Sequence, residues 1–390
     1  MGRPAVRTIK RVPDERPGTF PGAPPDGSEP GGTASAPDDG RLTRGNKAVL
    51  GLFFAFLVAM VVGSLVHLPY AVMSPGPTQD TLGVSADGKK TPIISVSGLP
   101  TYPTDGALRF TTVRVEGGPG YPVDLWDVLR AWVDPARDVY PVDDVFDPQV
   151  SEEQVAEENA VQMAGSQEEA TAVALRAIGK DVPTHIVIAQ VSEQSKAKDL
   201  LKPKDRIVRV GDTEITSADD VRTALQQHRP GDTVALTVVR DGKDVTVTVP
   251  TIEGQGGRTA LGVVLSLEHD FPATIKIDAG SIGGPSAGLM FSLGIYDKLT
   301  PGALANNHQI AGTGTIDDSG NVGPIGGIRQ KLAGARADGA TWFLAPADNC
   351  DEVVDHVPDG LNVVKVSTFD QARSAVEAIA SDKTGSLPHC

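Results

Sequence analysis

One stretch constrains this chain more than any other. Ala48 to Val66 is a run of nineteen residues, AVLGLFFAFLVAMVVGSLV, without a single charge. As an α-helix rising about 1.5 Å per residue it extends roughly 28 Å, close to the ~30 Å hydrocarbon thickness of a bilayer. A helix of that length in a soluble core normally carries a polar stripe, and this one has none. A single membrane span over residues 47–68 is therefore expected. Its flanks orient it. Arg41, Arg44 and Lys47 precede it, and no Asp, Glu, Lys or Arg follows until Asp80. The excess of basic residues predicts a cytoplasmic N-terminus, with everything from about residue 70 outside. A cleaved signal peptide is the poorer reading, because the run is too long for a typical apolar signal core, the tail before it is long and no A-x-A site follows.

Composition excludes several classes. The 390 residues carry 35 Lys+Arg against 50 Asp+Glu, a formal net charge of −15. Through Lys47 there are eight basic and six acidic residues, a net of +2, which leaves −17 for the remainder. So acidic an ectodomain is a poor partner for a nucleic-acid backbone, which needs clustered Lys/Arg. Two cysteines, Cys350 and Cys390, build neither a disulfide scaffold nor a cysteine zinc site. Both fall outside in this topology and could pair, although Cys390 is terminal and expected to be mobile. Residues 1–46 are rich in Pro and Gly and nearly free of bulky apolar side chains, so they read as a disordered cytoplasmic tail. The length suggests two or three domains in all.

Beyond the span, TPIISVSG (91–98) and ALRFTTVRVEG (107–117) read as strands and VDLWDVLRAWV (123–133) as a helix. Two capping boxes, Ser151 with Gln154 and Ser166 with Glu169, predict two helices ending near Met163 and Ile178. The acidic cluster Glu152, Glu153, Glu157 and Glu158 reads as a solvated helix start rather than a metal site. From 184 to 250 come the strands HIVIAQV and DRIVRVG, a short TEI strand, a helix opened by Ser217-x-x-Asp220, and two strands joined at Asp241-Gly242, a hairpin dipeptide. This order, with L-x-x-x-D-x-I-x-x-V-G at 201–211, resembles a bacterial PDZ domain over 181–252. Two departures stand out. Lys204 occupies the family's usual Gly before the Asp, and no Gly-Leu-Gly-Phe-like loop precedes HIVIAQV. Capture of a peptide carboxylate is thereby put in question, while β-augmentation of an extended peptide stays open. From 255 to 383 strands and helices alternate in an α/β pattern.

Two segments carry the chemistry. Gly284-Pro285-Ser286-Ala287-Gly288 fits G-x-S-x-G, a turn that lifts a serine hydroxyl at the start of a helix. Taken alone, Ser286 could equally be a helix N-cap. In GGIRQKLAGARADGA (326–340), a helix places Ile328, Lys331, Leu332 and Ala335 on one apolar stripe. A lysine there either snorkels out or has a task. Joined to Thr313-Gly314 and Pro324-Ile325-Gly326-Gly327, these segments resemble the proteolytic domain of Lon peptidases over roughly 255–375. The resemblance implies Ser286 as nucleophile and Lys331 as base. It implies Thr313 as the residue that hydrogen-bonds the lysine, with Gly284, Pro285 and Gly288 shaping the turn. The anchor, PDZ unit and Lon-type domain together resemble a group of bacterial membrane-anchored PDZ–Lon proteins. A mixed α/β fold follows: a Lon-type proteolytic domain and a small β-rich PDZ domain, preceded by one transmembrane helix.

That resemblance also implies protein or peptide substrates, a homo-oligomer in the manner of Lon rings, and no cofactor. A Lys of ordinary pKa would be neutral only about 0.04% of the time at neutral pH, so burial must depress it. The backbone N–H of Ser286 is the expected oxyanion donor. A Ser-His-Asp hydrolase using His308 or His356 with Asp351 should carry a repeated βα core before the serine, and here a PDZ-like unit precedes it. The scattered histidines form no H-E-x-x-H, and no G-x-x-x-x-G-K-[ST] occurs in this chain. Only about thirty residues separate the PDZ-like unit from Ser286, too few for the front of a Lon-type domain. Residues 70–180 are therefore expected to supply that front, with the PDZ-like unit inserted between. A catalytically silent PDZ scaffold at the membrane surface is the competing class.

Overall fold

A computed structural model describes residues 44–85, 90–118, 120–147, 150–193 and 195–390. The expected tail, 1–46, lies outside these apart from its last three residues. Contacts divide the chain after Ala59 into two units. Helix α1 (Arg44–Leu65) covers most of the uncharged run and is exposed along its apolar residues. It stops three residues short of the expected end, because His67–Leu68 forms a strand, β1, paired with β7 (Val123–Asp124).

The larger unit is organised by a five-stranded sheet. In spatial order its strands are β22 (Asn362–Val366), β21 (Trp342–Pro346), β18 (Gln309–Gly312), β5 (Ala107–Phe110) and β3 (Gln79–Asp80). All neighbours are parallel except β3, which runs antiparallel to β5. Ala107 pairs with Gln309 and Phe110 with Gly312, so chain from both sides of 181–252 builds one sheet. Alternation along the strands covers both faces. Ile310, Leu344 and Val364 join a core with helices α4 (Glu152–Ala177), α6 (Gly288–Leu299) and α9 (Phe369–Ala380). Ala311, Phe343 and Val363 face α7 (Ile328–Ala337) and α8 (Cys350–Val353) on the other side.

Two expectations are corrected here. The run 107–117 is not one strand. After Phe110 the chain leaves the central sheet, and β6 (Val113–Glu116) pairs with β2 (Tyr70–Pro75), whose other edge takes β8 (Asp138–Pro141). α2 (Leu125–Val133) and the short α3 (Val142–Val145) adjoin this second sheet. A β-branched run reports strand propensity but not a change of sheet. Likewise α4 is one helix, not two. Ser151 and Gln154 cap it reciprocally, whereas Ser166 is buried inside it. The isolated Gly165 between Met163 and Ser166 does not end the helix, so the S-x-x-E pattern there marks no helix start.

The PDZ-like sheet runs β13 (Lys243–Pro250), β12 (Thr233–Arg240), β10 (Arg206–Val210), β9 (Thr184–Val191), β16 (Val263–His269), with β11 (Thr213–Glu214) on β10. Helix α5 (Ala218–Leu225) is capped by Ser217, with Asp220 reciprocating. Asp241 and Gly242 both have positive φ (51° and 74°), as a two-residue hairpin requires. Lys204 takes φ 71°, which explains why glycine is the usual residue there. The strand β16, expected in the protease part, instead completes this sheet, pairing from Val263 with Val191 to His269 with Thr184. It is reached through the β14–β15 hairpin (Ile252–Glu253, Thr259–Ala260) and Gly262 at φ 69°. The neighbour of β9 thus comes after the closing hairpin, not ahead of HIVIAQV. β4 (Ile94–Ser97) pairs with β17 (Thr274–Ile277), and β19 (Thr315–Ile316) with β20 (Val322–Gly323).

Cys350 and Cys390 form a disulfide, their Cα atoms 5.0 Å apart. The segment around Cys390, expected to be mobile, is hydrogen-bonded to β22. Lys365 N–H donates to Pro388 O (2.9 Å), and His389 Nδ1 lies 3.0 Å from Val363 O.

Candidate active site

Three elements converge on Ser286. The turn before α6 is set by Gly284 at φ 83°, a conformation that favours glycine. It is also held from α4. Gly284 N–H donates to Asn159 O (2.9 Å), and Ser166 Oγ donates to Pro285 O (2.9 Å). Gly288 opens α6, and a Cβ there would lie 2.7 Å from Ser166 Oγ and 2.8 Å from Ile316 Cγ2. The G-x-S-x-G spacing therefore reflects one left-handed turn and one close approach. Ser286 is not the N-cap; Ala287 is, without a side-chain cap bond. The bland reading of Ser286 fails because its side chain faces α7.

The second element is the end of β18. Gly314 N–H donates to Ser286 O (2.9 Å), and Thr313 Oγ1 donates to the same carbonyl (3.0 Å). Thr313 is fully buried. The third is α7, which follows Gly327 at φ 68°. Ile328, Leu332 and Ala335 are fully buried in the core beneath β18 and β21, and Lys331, on the same stripe, is only 2% exposed. Its Nζ lies 2.8 Å from Ser286 Oγ and 3.0 Å from Thr313 Oγ1. The lysine does not snorkel. Burial alone pushes its pKa down to about 7, because the ammonium loses hydration with no carboxylate to replace it.

All six residues singled out in the sequence, Ser286, Lys331, Thr313, Gly284, Pro285 and Gly288, belong to this assembly. Three others were missed. Asn159 and Ser166 hold the turn from behind. Asp138, on β8, accepts from Arg329 Nη1 and Gln330 Nε2 (both 2.7 Å), which fixes the first turn of α7. Ser166 was visible but matched a capping pattern, and nothing near Asp138 in sequence points to α7, 191 residues away. His356 Nδ1 lies 2.9 Å from Glu352 O within its own helical turn. Among the described residues no hydrogen bond links His308, His356 or Asp351 to Ser286. Nor, among them, do three His, Cys, Asp or Glu side chains converge as a metal site.

Ser166→Ala is expected to lower stability by about 1 kcal/mol, the usual net worth of a buried hydrogen bond. The urea midpoint reads this, and an unchanged midpoint would remove Ser166 from the support of the turn.

Two parts of the chain match known families. Residues 268–378 match the Lon protease (S16) C-terminal proteolytic domain. The Lon-type match covers β17 through most of α9, and residues 159–251 match the PDZ domain. The PDZ match starts inside α4 and ends before β16, although the sheet itself comprises 184–269. Lon protease 1 of Bacillus subtilis is 29% identical over 186 residues, 43% of this chain and 24% of that protein. Lon protease of Azospirillum brasilense is 36% identical over 117 residues, 29% of this chain and 14% of that one. This chain thus spans under a quarter of the length of either relative. Among solved structures, the PDZ domain of the SdrC-like protein from Listeria monocytogenes matches at 18% identity and a TM-score of 0.20, over 21% of this chain and 86% of that one.

Proposed function

We propose that this chain is a membrane-anchored serine endopeptidase that uses a Ser286–Lys331 dyad and cleaves unfolded or membrane-associated proteins outside the cytoplasm. The observation that carries the reading is the buried Lys331 amine, 2.8 Å from Ser286 Oγ and, among the described residues, without an acidic partner. The Lon-type match and the Lon protease relatives support a serine protease.

The hydrogen-bond directions favour the chemistry. Thr313 has one hydroxyl proton and gives it to Ser286 O, so toward Lys331 it can only accept. A neutral amine then donates to Thr313 and turns its lone pair to Ser286 O–H. Lys331 takes that proton as Oγ attacks the peptide carbonyl. The carbonyl oxygen becomes an oxyanion beside the Ser286 N–H, which precedes α6 and benefits from its dipole. The ammonium gives its proton to the leaving amine, and an ester on Ser286 remains. Lys331, neutral again, activates the water that releases it.

The domain division supported here is a proteolytic part contributed by 70–180 and 255–383, interrupted by the PDZ-like unit, with β5 and β18 sharing one sheet. The PDZ-like sheet ends on β16, where Val264 is 54% exposed. This edge suits an extended peptide added as a further strand. The anchor rests on the length and apolarity of α1, its orientation on the basic flank. The Cys350–Cys390 bond fits an oxidising compartment.

The test uses the full chain in detergent with an unfolded polypeptide and no nucleotide, and product peptides are read by mass spectrometry. New peptides from the natural chain and none from Ser286→Ala are expected. Equal digestion by both, or by neither, overturns the proposal.

A further inference from the structure

Helix α2 carries two faces. Val128 and Ala131 are buried with Val72 and Val123 in a small core on the second sheet. The opposite face is also apolar: Leu129 is 38% exposed, Trp132 70% and Val133 82%. An outward face this rich in exposed Trp, Leu and Val is unusual on a soluble helix. Its location supplies the reason. β1, directly after α1, pairs with β7, directly before α2. Trp126, on the first turn of α2, donates its indole N–H to Met60 O at 3.0 Å. Gly63 is buried beneath that indole, and a methyl group there would overlap it. Trp126, Leu129 and Val133 follow at i, i+3 and i+7, one stripe of the helix, with Trp132 beside it. The exposed stripe therefore continues from the residue that packs on the last turns of α1.

We propose that α2 is an interfacial helix, its outer stripe seated among the headgroups and upper acyl chains of the outer leaflet beside the end of α1. This rests on the membrane reading of α1 above. A bilayer fits better than a protein partner because the stripe adjoins the end of an apolar helix rather than a separate groove. Tryptophan is the residue type favoured at the headgroup level, and a short amphipathic helix lies in that plane through its apolar face. Arg130, exposed on the side of the stripe away from Trp132 and 3.5 Å from Asp127, is placed to reach lipid phosphates. The second sheet, whose Asp138 clamps the first turn of α7, is thereby held at the membrane surface.

The test reconstitutes the full chain into phosphatidylcholine–phosphatidylglycerol vesicles containing lipid brominated either near the glycerol or near the chain ends. Three single-tryptophan chains are compared, keeping Trp132, keeping Trp342, or keeping neither and carrying Phe54→Trp. Emission from Trp132 should fall by about half with the shallow bromines and less with the deep ones, the depth expected of an interfacial tryptophan. Trp342 should be unaffected, and Phe54→Trp should be quenched most by the deep bromines. In the otherwise natural chain, Trp132→Phe should remove much of the shallow quenching. If Phe54→Trp is quenched and Trp132 is not, the interfacial helix is wrong and the anchor stands. Should Phe54→Trp escape quenching, the anchor fails and the interfacial helix fails with it.

Discussion

Lys331→Met is expected to abolish peptide cleavage while raising the melting temperature, and to raise it more at pH 6 than at pH 9. The loss of activity follows from removing the base that lies 2.8 Å from Ser286 Oγ, a role worth about 10²–10⁴-fold in rate. The gain in stability follows from the same burial. An unfolded lysine keeps its proton to about pH 10.5, whereas burial brings Lys331 down to about 7. Between these values the unfolded chain binds more protons, so stability rises with pH through that window. Below about 7 both states are protonated and the fold bears the whole cost of a buried ammonium, on the order of 5 kcal/mol. Methionine has similar reach and no charge to desolvate. In the natural chain, kcat/KM should climb with pH to a plateau, with its midpoint about 7 as the amine becomes neutral. A profile flat between pH 5 and 9, or a Met variant that is destabilised at pH 6, would exclude Lys331 as a buried base.

Reduction of Cys350–Cys390 should have the next largest effect. The bond closes a loop of 40 residues that contains β22 and α9. In the chain-entropy account such a loop contributes up to about 4 kcal/mol, or roughly 8–16 °C in melting temperature for a domain of this size. The contribution is realised only if the native terminus is ordered. The hydrogen bonds from Lys365 to Pro388 and between His389 and Val363 meet that condition. Thermal melts with and without reductant, and of Cys350→Ser with Cys390→Ser, measure the effect. If neither treatment moves the transition, the terminal segment is loose in solution.

Much of the site was legible because its chemistry is compact in sequence. Gly284 to Gly288 is a single turn, and Lys331 is conspicuous as a charge on an apolar helical stripe. Thr313 was found through the family resemblance. What escaped was everything that depends on partners far along the chain. Ser166 fits a local capping pattern, and only the packing of α4 against the turn reveals that its hydroxyl serves Pro285. Asp138 belongs to another sheet altogether. The same limit applies to the fold. Strand propensity located 107–117 but did not say that this run divides between two sheets, and the alternating α/β pattern over 255–383 did not say that its first strand completes the PDZ-like sheet. Register and sheet membership are decided by non-local pairing, which no period of two can encode.

The pairing of Thr184 with His269 bears on the order in which the chain assembles. β5 and β18 must meet across almost two hundred intervening residues, and such distant pairing is slow to form. An insert whose two ends lie side by side draws that gap in by some 85 residues once it has folded. The entropic saving is only about 0.5 kcal/mol, since closure cost grows slowly with length. Its effect is on timing: the inserted sheet, whose strands pair over shorter separations than β5 and β18, is suited to form first and act as a template for the strands on either side. The PDZ-like unit would then serve as an internal folding aid for the sheet it interrupts.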